Sequence, residues 1–237
     1  MTKPFGTAAD VRAIEAAGPW PPAGHPATLY SLLSRTAERF GERPAISYQL
    51  LSGPKDKAET LTWRQFRDRV TRAANLFRSL GVGETDTVAY VLPNANETAA
   101  VLIGGAVAGI AAPINPLLEA AQIAAILRET KAKVVVTLKP FPKTDVPQKV
   151  AAALKDAPGV ETVLEVDLAR YLSPPKSWIV PFIRPKNPAG HSARVLDWAA
   201  ETAKQPTTLT FADSAGDRVA AYFHTGGTTG MPKVAQH

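Results

Sequence analysis

Apolar positions in the first third of the chain fall at two spacings, and the spacing separates helices from strands. Between residues 28 and 40, Leu29, Leu32, Leu33, Ala37 and Phe40 recur at helical intervals, and Gly41 follows where a left-handed cap would close the helix. The run AISYQL reads as a short strand. LSGPKDKAE, rich in turn formers and charge, reads as an exposed hairpin connection leading to TLTW. The next helix carries the clearest start signal, because Thr62 and Gln65 form a capping box and Leu61 and Phe66 occupy the two staple positions. Its inner face is Trp63, Phe66, Val70, Ala74, Phe77 and Leu80. Arg64, Arg67, Asp68, Arg69 and Arg72 lie mostly around the other side, and Gly81 provides the stop.

From residue 87 the pattern changes. TVAYVL is apolar without alternation, as expected of a strand covered on both faces. PNANETAAVLIGGAVAG then supplies a helix and IAAPIN a second buried strand, and LEAAQIAAILRETK with KVVVTL repeats the cycle. PQKVAAALKDAP and VETVLEV extend it. Strand and helix alternate at least three times, which predicts an α/β fold with a mainly parallel sheet and right-handed crossovers. Residues 99–114, AAVLIGGAVAGIAAPI, are uncharged but shorter than the roughly 20 apolar residues a bilayer span needs, so a buried helix and strand are expected there.

The alternation breaks at residues 173–190, SPPKSWIVPFIRPKNPAG, where five prolines predict neither a regular helix nor a central strand. The segment mixes Trp178, Ile179, Val180, Phe182 and Ile183 with Lys176, Arg184 and Lys186, which raises peripheral contact with an anionic membrane surface. A loop packed on its own domain is the favoured reading, because the prolines oppose the amphipathic helix that interfacial binding uses. Beyond it, RVLDWAAETA reads as a short helix and DRVAAYFHT as the strand that delivers the last loop.

Composition narrows the function. The 237 residues are 45% hydrophobic and 20% charged, ordinary values for a globular chain. Twenty-seven Lys and Arg against 21 Asp and Glu give a net charge of +6, suited to anionic partners. The cations are dispersed without a basic run, so nucleic acid is not expected as a partner. The absence of cysteine removes disulfides, thiolate metal sites and cysteine nucleophiles. The first residues lack the apolar segment of a secretion signal, and a cytoplasmic location is expected.

The candidate chemistry lies at the end of the chain, in YFHTGGTTGMPKVAQH. Three glycines let the backbone turn sharply and present its N–H groups to an anion, three threonine hydroxyls can donate to phosphoryl oxygens, and Lys233 adds a positive charge. The pattern GxxxxGK[ST] fails because Met231 and Pro232 separate Gly230 from Lys233, and GxGxxG fails on the spacing of Gly226, Gly227 and Gly230. His224 is read as a hydrogen-bonded support for the loop rather than a general base, since no acidic partner for it is evident in the sequence.

The stretch YFHTGGTTGMPK resembles the signature loop of the AMP-forming adenylating enzymes, the superfamily of acyl-CoA synthetases, luciferases and peptide-synthetase adenylation domains. LYSLLSRTAERFGERPAIS, LTWRQFRDRV, LGVGETDTVAYVLPNANE and GAVAGIAAPINPLL are similar in style and order to that family's amino-terminal half. The resemblance implies a partial large AMP-binding domain over residues 28–237, with 1–27 an amino-terminal extension, 173–190 a proline-rich insert and 222–234 the phosphate-binding loop. It implies a two-step reaction in which a carboxylate attacks the α-phosphorus of ATP, and a thiol, usually that of coenzyme A, then displaces AMP. ATP, Mg2+ and coenzyme A are the implied cofactors and a carboxylic acid the implied substrate. Thr225, Gly226, Gly227, Thr228, Thr229, Gly230 and Lys233 would contact the β and γ phosphates.

Two positions depart from the family pattern. Position 226, usually Ser, is Gly, and position 234, usually Gly, is Val. The family's Tyr-x-x-Thr-Glu stretch, its ribose-binding aspartate, its hinge and its carboxy-terminal lysine are absent from these residues. The sequence is therefore expected to be a truncated piece of a longer acyl-CoA synthetase, inactive alone, with no catalytic or metal-ligating residue of its own. The rival expectation is a short non-catalytic module whose loop binds a nucleotide or a partner.

Overall fold

A computed structural model describes residues 6–18, 24–186, 190–214, 216–225 and 233–237. Helix α1 (Ala8–Glu15) opens on a capping box between Thr7 and Asp10 and buries none of its side chains. Helix α2 (Leu29–Phe40) starts at the N-cap Thr28 and turns Leu33 and Ala37 inward. Gly41 sits at φ −46° in the right-handed region, so the predicted left-handed cap does not form there. Strands β1 (Pro44–Gln49) and β2 (Ala58–Thr62) make the antiparallel hairpin that the turn formers predict.

Helix α3 (Trp63–Ser79) begins as the capping box dictates, with the Thr62 hydroxyl accepting from Gln65 N and Gln65 Oε1 accepting from Thr62 N. Leu61 and Phe66 are buried in one cluster with Leu33, Val70 and Ala100, which is the staple contact. Gly81, at φ +79°, is the left-handed stop.

The central layer is a five-stranded parallel sheet in the order β4-β3-β5-β6-β7, built from β3 (Thr87–Val91), β4 (Ile110–Pro113), β5 (Ala132–Leu138), β6 (Thr162–Val166) and β7 (Arg194–Asp197). Every residue of β3 is buried, which accounts for its unbroken apolar run. The chain passes from β3 to β4 in one direction and then crosses back over β3 to β5. Right-handed crossovers therefore place α4 (Asn96–Ala108) on one face and α5 (Ala120–Glu129) and α6 (Val146–Lys155) on the other. The packing agrees: α4 contacts α2 and α3, whereas α5 contacts α6. Residues 99–114 thus form a buried helix and strand, and among the described residues no helix is long and apolar enough to cross a membrane.

Two further expectations change. RVLDWAAETA is not one helix, because the Asp197 side chain accepts from Ala200 N and starts helix α8 (Trp198–Ala203) only there, leaving Arg194–Asp197 extended to pair with β6. The proline-rich segment does form a helix, α7 (Lys176–Ile183), with Pro181 inside it. An eight-residue helix has few internal hydrogen bonds to lose, so one proline interrupts little of it. Residues 187–189 lie outside the described residues.

Close helix packing sets one sharp requirement. A Cβ on Gly104 would lie 2.7 Å from Ala73 Cβ and 3.1 Å from both Ala74 N and Val70 O, so α3 and α4 approach to backbone distance at that point. Replacing Gly104 with Val is expected to destabilise the fold by about 1–3 kcal/mol through overpacking, read from the midpoint of urea unfolding. An unchanged midpoint would show that the two helices separate without cost.

Candidate functional site

The last strands position the loop of interest. After α8 the chain runs beneath α3 and returns to the sheet edge, and two polar side chains direct it. Asn75, fully buried on α3, donates to Pro206 O (3.1 Å) and Thr208 O (2.8 Å) and accepts from Thr210 N (3.0 Å), so its amide is satisfied by the passing backbone. Arg218 then donates to the last carbonyls of α4 and the glycine after it: Ala106 O (2.6 Å), Val107 O (3.2 Å) and Gly109 O (2.8 Å). A guanidinium at a helix carboxyl end meets both the unpaired carbonyls and the negative end of the helix dipole.

Those anchors bring Ala221 beside β4, where Ala111 and Ala221 form a single parallel bridge. Strand β8 (Tyr222–Thr225) follows, shorter than the nine residues of DRVAAYFHT, and pairs antiparallel with β9 (Lys233–Gln236). Thr225 stands opposite Lys233, so the two ends of the glycine-rich loop are held side by side at the carboxyl end of the sheet. Gly226, Gly227, Thr228, Thr229 and Gly230 lie outside the described residues. Thr225 and Lys233 are placed by their backbones as the last paired positions.

Beside the hairpin lies a cavity of about 380 Å3, lined by the carboxyl ends of β3 and β4, by α5 and by β8. Its apolar wall includes Leu92, Ile114, Leu118 and Phe223, and its polar groups include Tyr90, Asn94, Asn115 and His224. This is where open parallel sheets bind ligands, outside the carboxyl ends of the strands. Burial pushes the Tyr90 hydroxyl up to about 12, so it remains a neutral donor.

His224 departs from its sequence reading in two ways. Neither ring nitrogen has a hydrogen-bond partner among the described residues, although the side chain is only 8% exposed. An acidic neighbour does exist: Glu129, the last residue of α5, places Oε2 3.8 Å from Nε2. That separation exceeds a hydrogen bond, so Glu129 acts through space and raises the imidazole pKa less than burial lowers it. Below the ordinary 6.5 of an exposed ring, the folded protein holds His224 neutral at pH 7. The stability linked to this ring is fully present above pH 6.5 and is lost as the pH falls through the lower folded value.

A second polar cluster ties the β1–β2 hairpin to α3, α4 and the turn after β6. Glu59 on β2 accepts from Arg69 (2.8 and 3.0 Å), from Arg170 in the turn after β6 (2.6 and 3.1 Å) and from Asn96 at the start of α4 (2.8 Å). Glu97 accepts from Arg170 (2.5 Å) and from the Tyr171 hydroxyl (2.6 Å). Burial pushes the Glu59 carboxyl up, but the hydrogen bonds from Arg69, Arg170 and Asn96 outweigh it and hold the group well below the carboxylate range. Arg69, assigned by its helical position to a solvated face, is a bridging residue. Among the described residues no group of three or more His, Asp or Glu side chains is placed to hold a metal.

The fold is thus a doubly wound α/β sheet whose carboxyl edge carries both ends of the glycine- and threonine-rich segment. The family model for AMP-binding enzymes matches residues 33–237, and the chain belongs to that family. It is 31% identical over 212 residues to the marinolic acid–CoA ligase of a Pseudoalteromonas species, a match covering 89% of this chain and 29% of that protein. It is 28% identical over 214 residues to the acetyl-coenzyme A synthetase of Streptomyces avermitilis, covering 88% of this chain and 30% of that one. The fold is shared with a crystallised anthranilate CoA ligase in complex with anthranoyl-AMP, at a TM-score of 0.66 and 21% identity, over 88% of this chain and 34% of that one. The chain therefore spans about a third of the length of these proteins.

Two measurements test the site's construction. Arg218→Met is expected to lower stability by about 1–3 kcal/mol, through the orphaned helix carbonyls, and to speed amide exchange at Ala111 and Ala221. Unchanged exchange there would mean that β8 is held by other contacts. Glu129→Gln is expected to lower the His224 pKa further, followed by the ring proton in an NMR titration, and a rise would reverse the assignment of Glu129 as its electrostatic partner.

Proposed function

We propose that this chain is the amino-terminal part of an ATP-dependent carboxylate–CoA ligase, and that the loop between β8 and β9 receives the β and γ phosphates of ATP. The observation that carries the reading is the pairing of Thr225 with Lys233, which closes a glycine- and threonine-rich loop at the carboxyl edge of the sheet in a member of the AMP-binding family. Two relatives, a CoA ligase and an acetyl-coenzyme A synthetase, support the reaction class.

In the first step a carboxylate oxygen attacks the α-phosphorus of ATP and pyrophosphate leaves. In the second a thiol, that of coenzyme A, displaces AMP to give the thioester. The contribution assigned to these residues is positioning and charge neutralisation: backbone N–H groups of Gly226, Gly227 and Gly230, hydroxyls of Thr225, Thr228 and Thr229, and the ammonium of Lys233 hold the departing pyrophosphate in line. Mg2+, implied for this reaction class, would neutralise charge on the phosphates of the nucleotide. Without the remaining two thirds of the relatives' length, the 237 residues are expected to bind phosphate but not to turn over. A cytoplasmic location, where ATP and coenzyme A are both present, is part of this reading.

Equilibrium dialysis with ATP tests the loop without requiring the acid to be known. ATP is expected to bind more tightly than AMP, to be displaced by inorganic tripolyphosphate, and to lose about tenfold in affinity in Lys233→Met. Equal binding of ATP by the parent and the variant would remove the loop from the phosphate site.

A further inference from the structure

Helix α7 turns most of its large apolar residues outward. Trp178, Ile179, Phe182 and Ile183 are 67%, 49%, 89% and 57% exposed, and only Val180 of the eight residues is buried. Positions 178, 179, 182 and 183 follow the i, i+1, i+4, i+5 spacing of a single helical stripe, so the four side chains form one continuous face rather than a scatter. The reason for expecting a packed loop has gone: the segment is helical despite its prolines, and of its large apolar side chains only Val180 is buried.

The outward pose is enforced from both ends. Lys176 Nζ lies 3.3 Å from Asp56 Oδ1 in the β1–β2 turn. Arg184 donates to both oxygens of Asp167 (2.8 and 2.9 Å) and to Pro140 O (2.6 Å). These ties leave α7 little freedom to roll its apolar stripe inward. Around them the surface is cationic: Lys186 follows the helix, and Lys55 and Lys57 flank Asp56, all three exposed.

We propose that α7 is a docking element for an anionic lipid bilayer, with Trp178, Ile179, Phe182 and Ile183 entering the headgroup and acyl boundary and Lys55, Lys57 and Lys186 meeting the lipid phosphates. The occupant follows from charge and shape together. A short convex helix with aromatic residues on one face and lysines at its rim matches an interface that is apolar below and negative above. Trp and the lysine stems are suited to that boundary, each with an apolar body and a polar end. The proposal is independent of the phosphate loop, which lies at the edge of the sheet formed by β4 and β8.

The test uses the polypeptide as its source cell makes it. Co-sedimentation with vesicles of equimolar phosphatidylcholine and phosphatidylglycerol is expected to pellet the protein, with weaker binding to phosphatidylcholine alone and release as salt is raised. Trp178→Ser with Phe182→Ser is expected to reduce binding by at least about tenfold, with thermal unfolding and ATP binding unchanged because both side chains are exposed. Three results would overturn the proposal. One is equal pelleting of the double variant. Another is shielding of Trp178 from an aqueous quencher in the absence of lipid, which would mean that protein already covers the face. The third is a self-associated species that the double variant abolishes while vesicles are ignored, which would assign the face to a second copy.

Discussion

The architecture depends on one constraint: β3 is buried along its whole length at the centre of a parallel sheet, so both faces of that sheet need helices. Right-handed crossovers meet the demand only if the chain reverses direction across the sheet, and the reversal occurs between β4 and β5. The reversal leaves β4 as an edge, and β8 approaches that edge through the bridge between Ala111 and Ala221. The glycine-rich loop therefore emerges at the carboxyl end of the strands because the sheet had one edge open there. The cavity lined by Leu92, Ile114 and His224 lies at the same end for the same reason.

Hydrophobic burial does not by itself hold the parts in register, and the polar clusters supply what it lacks. Glu59 connects the β1–β2 hairpin, α3, α4 and the turn after β6 through Arg69, Asn96, Arg170 and Tyr171. Removing one member would leave charges partly buried without partners, which costs about 3–5 kcal/mol where such pairs are fully buried and less for the partly exposed Arg69 and Arg170. Asn75 and Arg218 act in the same way on the returning chain, each satisfying backbone groups that no ladder reaches. The site's frame is thus specified by a few directional contacts laid over a non-directional core.

Much of this frame was legible in the sequence, and what was legible was local. The capping box of Thr62 and Gln65, the stop at Gly81 and the continuous apolar runs each carry their meaning within a few residues. Asp197 is equally local: an N-cap aspartate inside RVLDWAAETA marks the change from strand to helix. The pairing of His224 with Glu129 and the Glu59 cluster could not be read, because their members are far apart in sequence and their spacing carries no period. Arg69 illustrates the limit: its helical position indicated solvent, whereas its partner was set by the neighbouring hairpin.

The charge distribution at the carboxyl edge now constrains the chemistry. Burial keeps the His224 ring neutral at pH 7 even with Glu129 nearby, so the ring offers one donor and one acceptor but no positive charge. A polyphosphate held by the loop would then have Lys233 and the backbone amides as its neutralising groups, with His224 limited to hydrogen bonding. Protonating the ring at lower pH would add a cation at the cavity wall, at the expense of burying that charge with only a 3.8 Å contact to Glu129 to offset it. The His224 ring therefore adds no charge to the cavity wall across the neutral range.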